Sequence, residues 1–578
     1  MQKLRGGQLL ARALRDKEVK HVFTLAGGFC NPALEGFLDC QIPVINCPHE
    51  QIAGHLADGH ARITRQPTVC LVGPEGFSNA VPAMMEAWGE RSPVIFITGS
   101  STKKREGAGG FKEIDDVAIA APLTKYSVSI SDGTRIQEFV DRAWKIAMNG
   151  YPGPVHLSLP VDIMFASFEE NGSNDERPLK SSPGRISRAW PEPSALNNIV
   201  NIIKNSKNPM FVGGHGVWWS KNEAKLGLAG EKLNIPIFNI PYHQKLLDET
   251  CRAYMGLADI HQYAPSKFAF HSSDCIIMVG CRLDNQMNFG NPPLIPTNAK
   301  LICVNGSDEE INFNRSADEL LLSDPGAFFD ALTENFISTE WAIEENWMEK
   351  NINARQEWVD STLKDLEVET AKDSWSGGII HPLKLSLEVQ NAMEDGDWLV
   401  FDGGNTHFWS EIAVNITSKR GRTFGGILHP GSYSLLGVGV SFALSAKSTN
   451  RAKTVVLISG DGAFLSGGLS IEAAFQEKLP IVVVIDNNGG LDCISQQQER
   501  LFATGTHFAT DFRDIPFHSL FEGMGGYGEL VTHKNDISAA VKRAIGSGKP
   551  ACVNVKARGV ISPIVAATSD KRDKASIE

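Results

Sequence analysis

A chain of 578 residues is far longer than an ordinary domain of roughly 150 residues, and three domains are expected. With 42% hydrophobic and 21% charged residues and 54 glycines, the composition fits several buried cores and argues against a disordered or fibrous chain. A formal net charge of -12 argues against broad binding to nucleic-acid phosphates, and no apolar run reaches the ~18 residues that a membrane span needs.

Residues 1–19 have charges interrupting their apolar positions, which predicts an amphipathic first helix and not a secretory signal. Short runs rich in valine and isoleucine then alternate with helical patterns, as in parallel sheets with crossover helices. In the first block the strands are expected at 21–26, 68–73, 93–100 and 154–160. Residues 167–189 lose apolar content and read as a linker, so the first domain is taken as 1–175. A second α/β block, 190–340, has strands at 209–216, 235–241, 275–284 and 300–310, and a polar helical segment follows over Thr339–Lys372. The third block, 375–578, has strands in 398–404, 454–462, 480–488 and 551–557. The expected fold is therefore α/β, with three doubly wound parallel-sheet domains. Ten cysteines without a CxxC pair point to reduced, buried thiols in a cytoplasm and away from a zinc site.

The strongest local signal is Gly460-Asp461-Gly462 at a strand end, followed by a helical stretch and a second strand that closes on Asp486-Asn487-Asn488. Asp461 and Asn488 stand 27 positions apart. A strand–helix–strand unit of that size brings both side chains to the carboxyl edge of one sheet. Oxygen donors from Asp461 and Asn488, with a backbone carbonyl just beyond at Gly490, suit a hard Mg2+ ion bridging a diphosphate. The flanking glycines allow close approach of phosphate oxygens, with Ala463 next in the chain.

This spacing resembles the fingerprint of thiamine diphosphate-dependent enzymes. The run Pro48-His49-Glu50-Gln51-Ile52-Ala53-Gly54-His55-Leu56-Ala57-Asp58-Gly59-His60-Ala61-Arg62 is similar to that family's helix start RHEQxAGHxAxGYAR. The resemblance implies the thiamine diphosphate-binding fold, with thiamine diphosphate and Mg2+ as cofactors. It also implies that Glu50 hydrogen-bonds the aminopyrimidine ring and supports its proton relay. In Gly431–Gly439 it makes Leu436 the candidate for the bulky side chain that bends the cofactor, an ordinary core leucine being the alternative. Asp402-Gly403-Gly404-Asn405-Thr406 resembles a diphosphate-contacting segment, with a plain helix N-cap as the rival. Glu50 and Asp461 then come from different subunits of a homodimer or homotetramer acting on a small carbonyl substrate.

Within the family, the order of domains resembles the branch of acetolactate synthase, benzaldehyde lyase, oxalyl-CoA decarboxylase and 2-hydroxyacyl-CoA lyase. An acetolactate synthase-like carboligase or lyase acting on 2-keto acids or 2-hydroxy ketones is the leading expectation. A 2-hydroxyacyl-CoA lyase or benzaldehyde lyase-like activity is the alternative, and a cofactor-retaining protein without turnover is the alternative from another class. The loop Leu25–Cys30 lacks the histidines of benzaldehyde lyase. Lys112 stands where acetolactate synthases carry a glutamine, and is a candidate contact for a carboxylate, a thioester carbonyl or an oxyanion; a solvated lysine is its ordinary reading. His407 and His429 are candidate replacements for the missing proton donors. Gly280, Arg282 and Asp284 are similar to a flavin-contacting element, whereas Met255–His261 lacks the matching pattern, so FAD and ADP both stay open for the central domain. The tail from Ser562, with Lys571, Arg572 and Lys574, is read either as a lid or as a frayed terminus.

Overall fold

The computed structural model describes residues 3–169, 188–241, 246–335, 341–372, 379–502 and 504–575, with the side chains of 335 and 570–575 left undescribed. The expected domain edges at 175, 340 and 375 lie outside what is described; the tail forms helix Pro563–Ala575, whose lysine and arginine side chains at 571, 572 and 574 are among those left undescribed. The chain packs as two compact units. One holds residues 1–187, 430–451 and 467–479; the other holds 188–429, 452–466 and 480–578.

The first unit contains a six-stranded sheet in the order 44–46, 22–24, 68–72, 94–100, 155–160, 127–129, with all neighbours parallel. Strand order reverses between 22–24 and 68–72, the doubly wound arrangement. Val69, Leu71, Ile95, Ile97 and Leu157 join Leu10, Phe37 and Phe139 in one buried cluster. Lys3–Arg5 departs from the expected first helix: it pairs antiparallel with Ser167–Glu169, and the helix begins only at Gly6. The register places Leu4 opposite Phe168, so the chain start closes on the end of the same block.

Helix Glu50–Thr64 is buried along nearly its whole length, and its small residues explain how. A Cβ on Gly54 would stand 2.4 Å from the Ala83 Cβ of helix Pro74–Gly89, and one on Gly59 would stand 2.8 Å from the Ser445 Oγ of helix Gly439–Thr449. Each glycine thus marks a helix crossing closer than any side chain permits. The helix starts because the His49 ring nitrogen accepts the Gln51 N–H, and it stops at Arg65, whose φ of 54° is left-handed.

The second unit contains two further six-stranded parallel sheets. The central one runs 254–257, 237–239, 209–213, 275–279, 300–305, 319–322. The other runs 426–428, 398–402, 455–460, 482–487, 551–556, 527–531. Its order reverses between 398–402 and 455–460, and the carboxyl ends of these two strands carry Asp402 and Gly460. In the central sheet, Gly214 and Gly216 pack on Gly280, where a Cβ on Gly216 would meet the Gly280 Cα at 2.6 Å. That glycine run therefore serves close backbone packing. Arg282 is paired with Asp284 at 2.8 Å. Among the described residues no helix is long and apolar enough to cross a membrane, and all ten cysteines are free.

Candidate active site

At the reversal point of the third sheet, Asp461 opens helix Asp461–Gly467 directly from strand Val455–Gly460. One oxygen of its carboxylate accepts the Gly462 N–H at 2.7 Å; the other accepts the N–H groups of Gly489 and Gly490 at 2.8 and 3.1 Å. These bonds tie the two expected halves of the site together. The Asn488 side chain helps to hold the Asp492 pKa down, and its carbonyl oxygen is buried with no partner. The Gly489 carbonyl is taken by Phe512 N–H at 2.7 Å. The next carbonyl along is that of Gly490, whose N–H already binds Asp461.

Three glycines make this geometry attainable. Gly489 has φ 87°, a Cβ on Gly490 would meet the Thr510 carbonyl at 2.4 Å, and one on Gly462 would meet Leu491 at 2.6 Å. On the neighbouring strand, Asp402 is buried at the strand end and Gly403 has φ 128°, its Cα 3.9 Å from the Cβ position of Gly460. Helix Asn405–Lys419 begins with Gly404 as its cap and no capping side chain, so Asp402 is not the N-cap considered from sequence. A 15-residue helix with uncapped N–H groups at this edge suits a phosphate group. Asn405 donates to Asp492 at 3.1 Å and Thr406 to Asp486 at 2.9 Å.

Three acidic side chains are crowded at this edge. Burial, then repulsion from Asp492, pushes Asp486 up to about 8; burial and the charge of Asp461 push Asp492 up to about 6. Burial also raises Asp461, against the three backbone N–H groups that lower it. Among the described residues, no group of three or more His, Cys, Asp or Glu side chains is arranged to hold a metal alone. The donors present are one carboxylate, one orphaned amide oxygen and a backbone carbonyl, all hard oxygen, which fits a magnesium ion that takes its remaining ligands from phosphate. Asp486, Asp492 and Thr406 stood in segments named from sequence without a role of their own, and the structure joins Thr406 to Asp486 and Asn405 to Asp492.

In the first unit, Glu50 is buried at the first turn of its helix, and its carboxylate accepts from the Asn79 amide at 2.9 Å. A Cβ on Gly76 would lie 2.6 Å from the Glu50 Cγ, so helix Pro74–Gly89 presses on this carboxylate with bare backbone. Lys112, at φ 58°, pairs with Glu75 at 2.5 Å and sits over the rings of Phe111 and Phe29 at 5.1 and 5.8 Å. Burial opposes ionisation of Glu75, and the Lys112 hydrogen bond overcomes it, lowering the Glu75 pKa. Leu436 is 37% exposed, which is not the environment of an ordinary core leucine. His407 and His429 come together in the second unit with ring centroids 4.9 Å apart, both against Phe401. Burial, then the neighbouring His429, drives His407 far down, so its imidazole is neutral. His429 lines a small cavity with Arg355, Glu411 and Asn415.

Comparison with known proteins gives the family of this layout. The chain matches the N-terminal binding domain of thiamine pyrophosphate enzymes over residues 4–119, their central domain over 196–332 and their C-terminal binding domain over 402–555. It belongs to the thiamine diphosphate-dependent enzymes. Within that family it is 28% identical over 563 residues to an acetolactate synthase large subunit from Mycobacterium tuberculosis, covering 96% of each chain. It is 26% identical to 2-hydroxyacyl-CoA lyase 2 from Homo sapiens, covering 95% of this chain and 89% of that one. With 2-hydroxyacyl-CoA lyase from Arabidopsis thaliana it shares 25% identity, covering 98% and 97%. The Asp461 edge thus lies in the C-terminal binding domain and Glu50 in the N-terminal one.

Proposed function

We propose that this thiamine diphosphate-dependent enzyme is a Mg2+-requiring carbon–carbon lyase or transferase of the acetolactate synthase kind, acting on a 2-keto acid or 2-hydroxy ketone. The kind of reaction is supported by the acetolactate synthase relative that covers 96% of this chain, and the metal requirement by the buried, unpartnered carbonyl oxygen of Asn488, next in the chain to Gly489, whose N–H binds Asp461. Asp461, Asn488 and the Gly490 carbonyl hold the ion. Asp402, Gly403, Gly404 and Asn405, with Gly460, Gly462 and Ala463, line the diphosphate, and Leu436 sets the bend of the cofactor. The chemistry supplied by bound thiamine diphosphate is addition to a carbonyl and storage of the electron pair left when the adjacent carbon–carbon bond breaks.

Glu50 holds the proton of the aminopyrimidine ring, with Asn79 fixing its carboxylate. Lys112, steadied by Glu75, orients a substrate carboxylate or carbonyl. His407 and His429 stand together against Phe401 as candidate proton-transfer groups of the pocket wall, and burial favours the neutral, proton-accepting form of His407. The working assembly is a cytoplasmic homodimer or a pair of such dimers, in which Glu50 of one subunit completes the site built on Asp461 of another. Leu469 and Phe111, 71% and 74% exposed, offer apolar area of the kind that subunit contacts cover. The domains are taken as 1–175, 190–340 and 375–578.

Calorimetry with thiamine diphosphate, with and without Mg2+, tests the cofactor assignment: heat of binding only with the ion supports it. Incubation with pyruvate then tests the substrate, and acetolactate or acetoin is the expected product. A second reading, cleavage of a 2-hydroxyacyl-CoA, is favoured by the relatives of that name at nearly the same identity. Aldehyde release from a 2-hydroxyacyl-CoA, without product from pyruvate, would replace the leading assignment.

A further inference from the structure

The loop Gly431–Leu436 is bound through its own backbone to two carboxylates at the end of a helix distant in sequence. Glu86, near the end of helix Pro74–Gly89, accepts the N–H of Gly431 at 2.7 Å through one oxygen and that of Leu435 at 3.4 Å through the other. Glu90, one residue past that helix, accepts the Ser432 N–H at 2.8 Å. Ser432 also donates its hydroxyl to the Gly89 carbonyl at 3.2 Å. Inside the loop, Ser434 takes φ 55° and returns its N–H to the Gly431 carbonyl, closing a tight turn just before Leu436.

Burial chemistry explains why this grip is firm. Glu86 is fully buried and Glu90 nearly so, alongside buried Asp58. Against these three carboxylates stands Arg62, which pairs with Asp58 at 2.6 Å and with Glu86 at 3.0 Å and lies over the Phe442 ring at 4.7 Å. Burial raises the Glu86 pKa to about 7 against the pull of Arg62, and the Gly431 N–H is among the groups that hold it down. If the loop left, buried acceptors would be stranded, which is costly. The loop in turn is shaped for these partners: a Cβ on Gly431 would lie 2.0 Å from the Glu90 carboxyl group. On its far side, Gly437 packs on Gly467, where a Cβ would meet the Gly437 carbonyl at 2.1 Å.

We propose that Glu86 and Glu90 are positioning residues that hold the Gly431–Leu436 loop, and with it Leu436, in the conformation that thiamine diphosphate requires. The proposal rests on the functional reading above. Neither carboxylate touches the reacting atoms; both act through the loop backbone.

Amide hydrogen exchange on the cofactor-free protein tests the grip directly. In Glu86→Ala and in Gly431→Ala, exchange across residues 431–435 is expected to quicken at least about tenfold, the scale of losing a hydrogen bond to a charged acceptor. Calorimetric affinity for thiamine diphosphate with Mg2+ is expected to fall by about the same factor. Glu86→Gln, which keeps an oxygen acceptor, is expected to restore both, together with the near-ultraviolet dichroism of cofactor bound at saturation. If Glu86→Ala does not fold, Gly431→Ala carries the test, since it leaves the Arg62 pairs in place. Unchanged loop exchange in a folded variant overturns the grip while leaving the functional reading intact. A parent protein that takes up no thiamine diphosphate overturns the functional reading, and with it the role given to the loop.

Discussion

Asn488 shows how much of the site's chemistry is decided by where one amide points. Its side chain helps to lower the Asp492 pKa, and its oxygen is buried without a partner. If Asn488 is the metal ligand proposed above, Asp492→Ala removes its neighbour, and the Mg2+-dependent affinity for thiamine diphosphate is expected to drop about 10- to 100-fold by calorimetry. Glu50→Gln keeps the shape and the Asn79 contact but not the basicity, so turnover is expected to fall about 10²- to 10⁴-fold in a product assay with little change in protein stability. Glu411 gives a residue-level test of pH. Burial, reinforced by the charge of Asp259, raises its pKa from 4.5 to about 8, with Gln262 donating to it at 2.6 Å. The folded state then holds a proton that the unfolded chain releases, so this group's contribution to stability is complete below pH 4.5 and is lost as pH rises toward 8. Urea unfolding between pH 5 and pH 8 should show stability falling by up to about 1.4 kcal/mol per pH unit from this group, and Glu411→Gln should remove that slope.

Helix Pro74–Gly89 works at both ends. Gly76 and Asn79 set Glu50 at one, and Glu86 with the adjoining Glu90 hold the 431–436 loop at the other. Its crossing with helix Glu50–Thr64 depends on Gly54, and this dependence reverses a familiar rule. Alanine in place of a helical glycine ordinarily stabilises by about 1 kcal/mol. At Gly54 the added methyl group would stand 2.4 Å from Ala83, so Gly54→Ala is expected to destabilise by about 1–3 kcal/mol through overpacking. Gly546 ends helix Ile537–Gly546 with nothing within 4 Å of a Cβ position. Gly546→Ala is expected to be neutral or stabilising by up to about 1 kcal/mol, and urea midpoints of the two variants should move in opposite directions.

For the whole molecule, cofactor and metal binding are linked to folding. Thiamine diphosphate with Mg2+ at a hundredfold excess over the dissociation constant should stabilise the native state by about 2.7 kcal/mol, seen as a raised thermal midpoint, and a chelator should abolish the gain. If sites are completed between subunits, dilution should reduce specific activity and cofactor affinity together; a dilution series monitored by light scattering and product formation would show it. Activity that persists in a monomer would remove the shared-site arrangement.

The twelve interior strands are the ones that hydrophobic runs announce, such as 68–72, 275–279 and 482–487, because a parallel strand covered on both faces must be apolar throughout. The edge strands 44–46, 127–129, 254–257, 319–322, 426–428 and 527–531 escaped that signal. They are short and carry residues such as Asn46, Ser127 and Glu529, since an edge meets neighbours on one side only. The proposed site residues Glu50, Asp461 and Asn488 were picked out for a related reason: each sits in a local run whose spacing is fixed by a single helix or one strand–helix–strand unit. Their partners were not. Asn79 on Glu50, Thr406 on Asp486 and Glu86 on Gly431, the last pair 345 residues apart, are contacts between separate segments. Local periodicity and motif spacing encode which face of an element is buried and which side chains one turn presents. Which distant donor satisfies a buried carboxylate depends on how the elements pack, because desolvation acts only once neighbouring segments have closed around the charge.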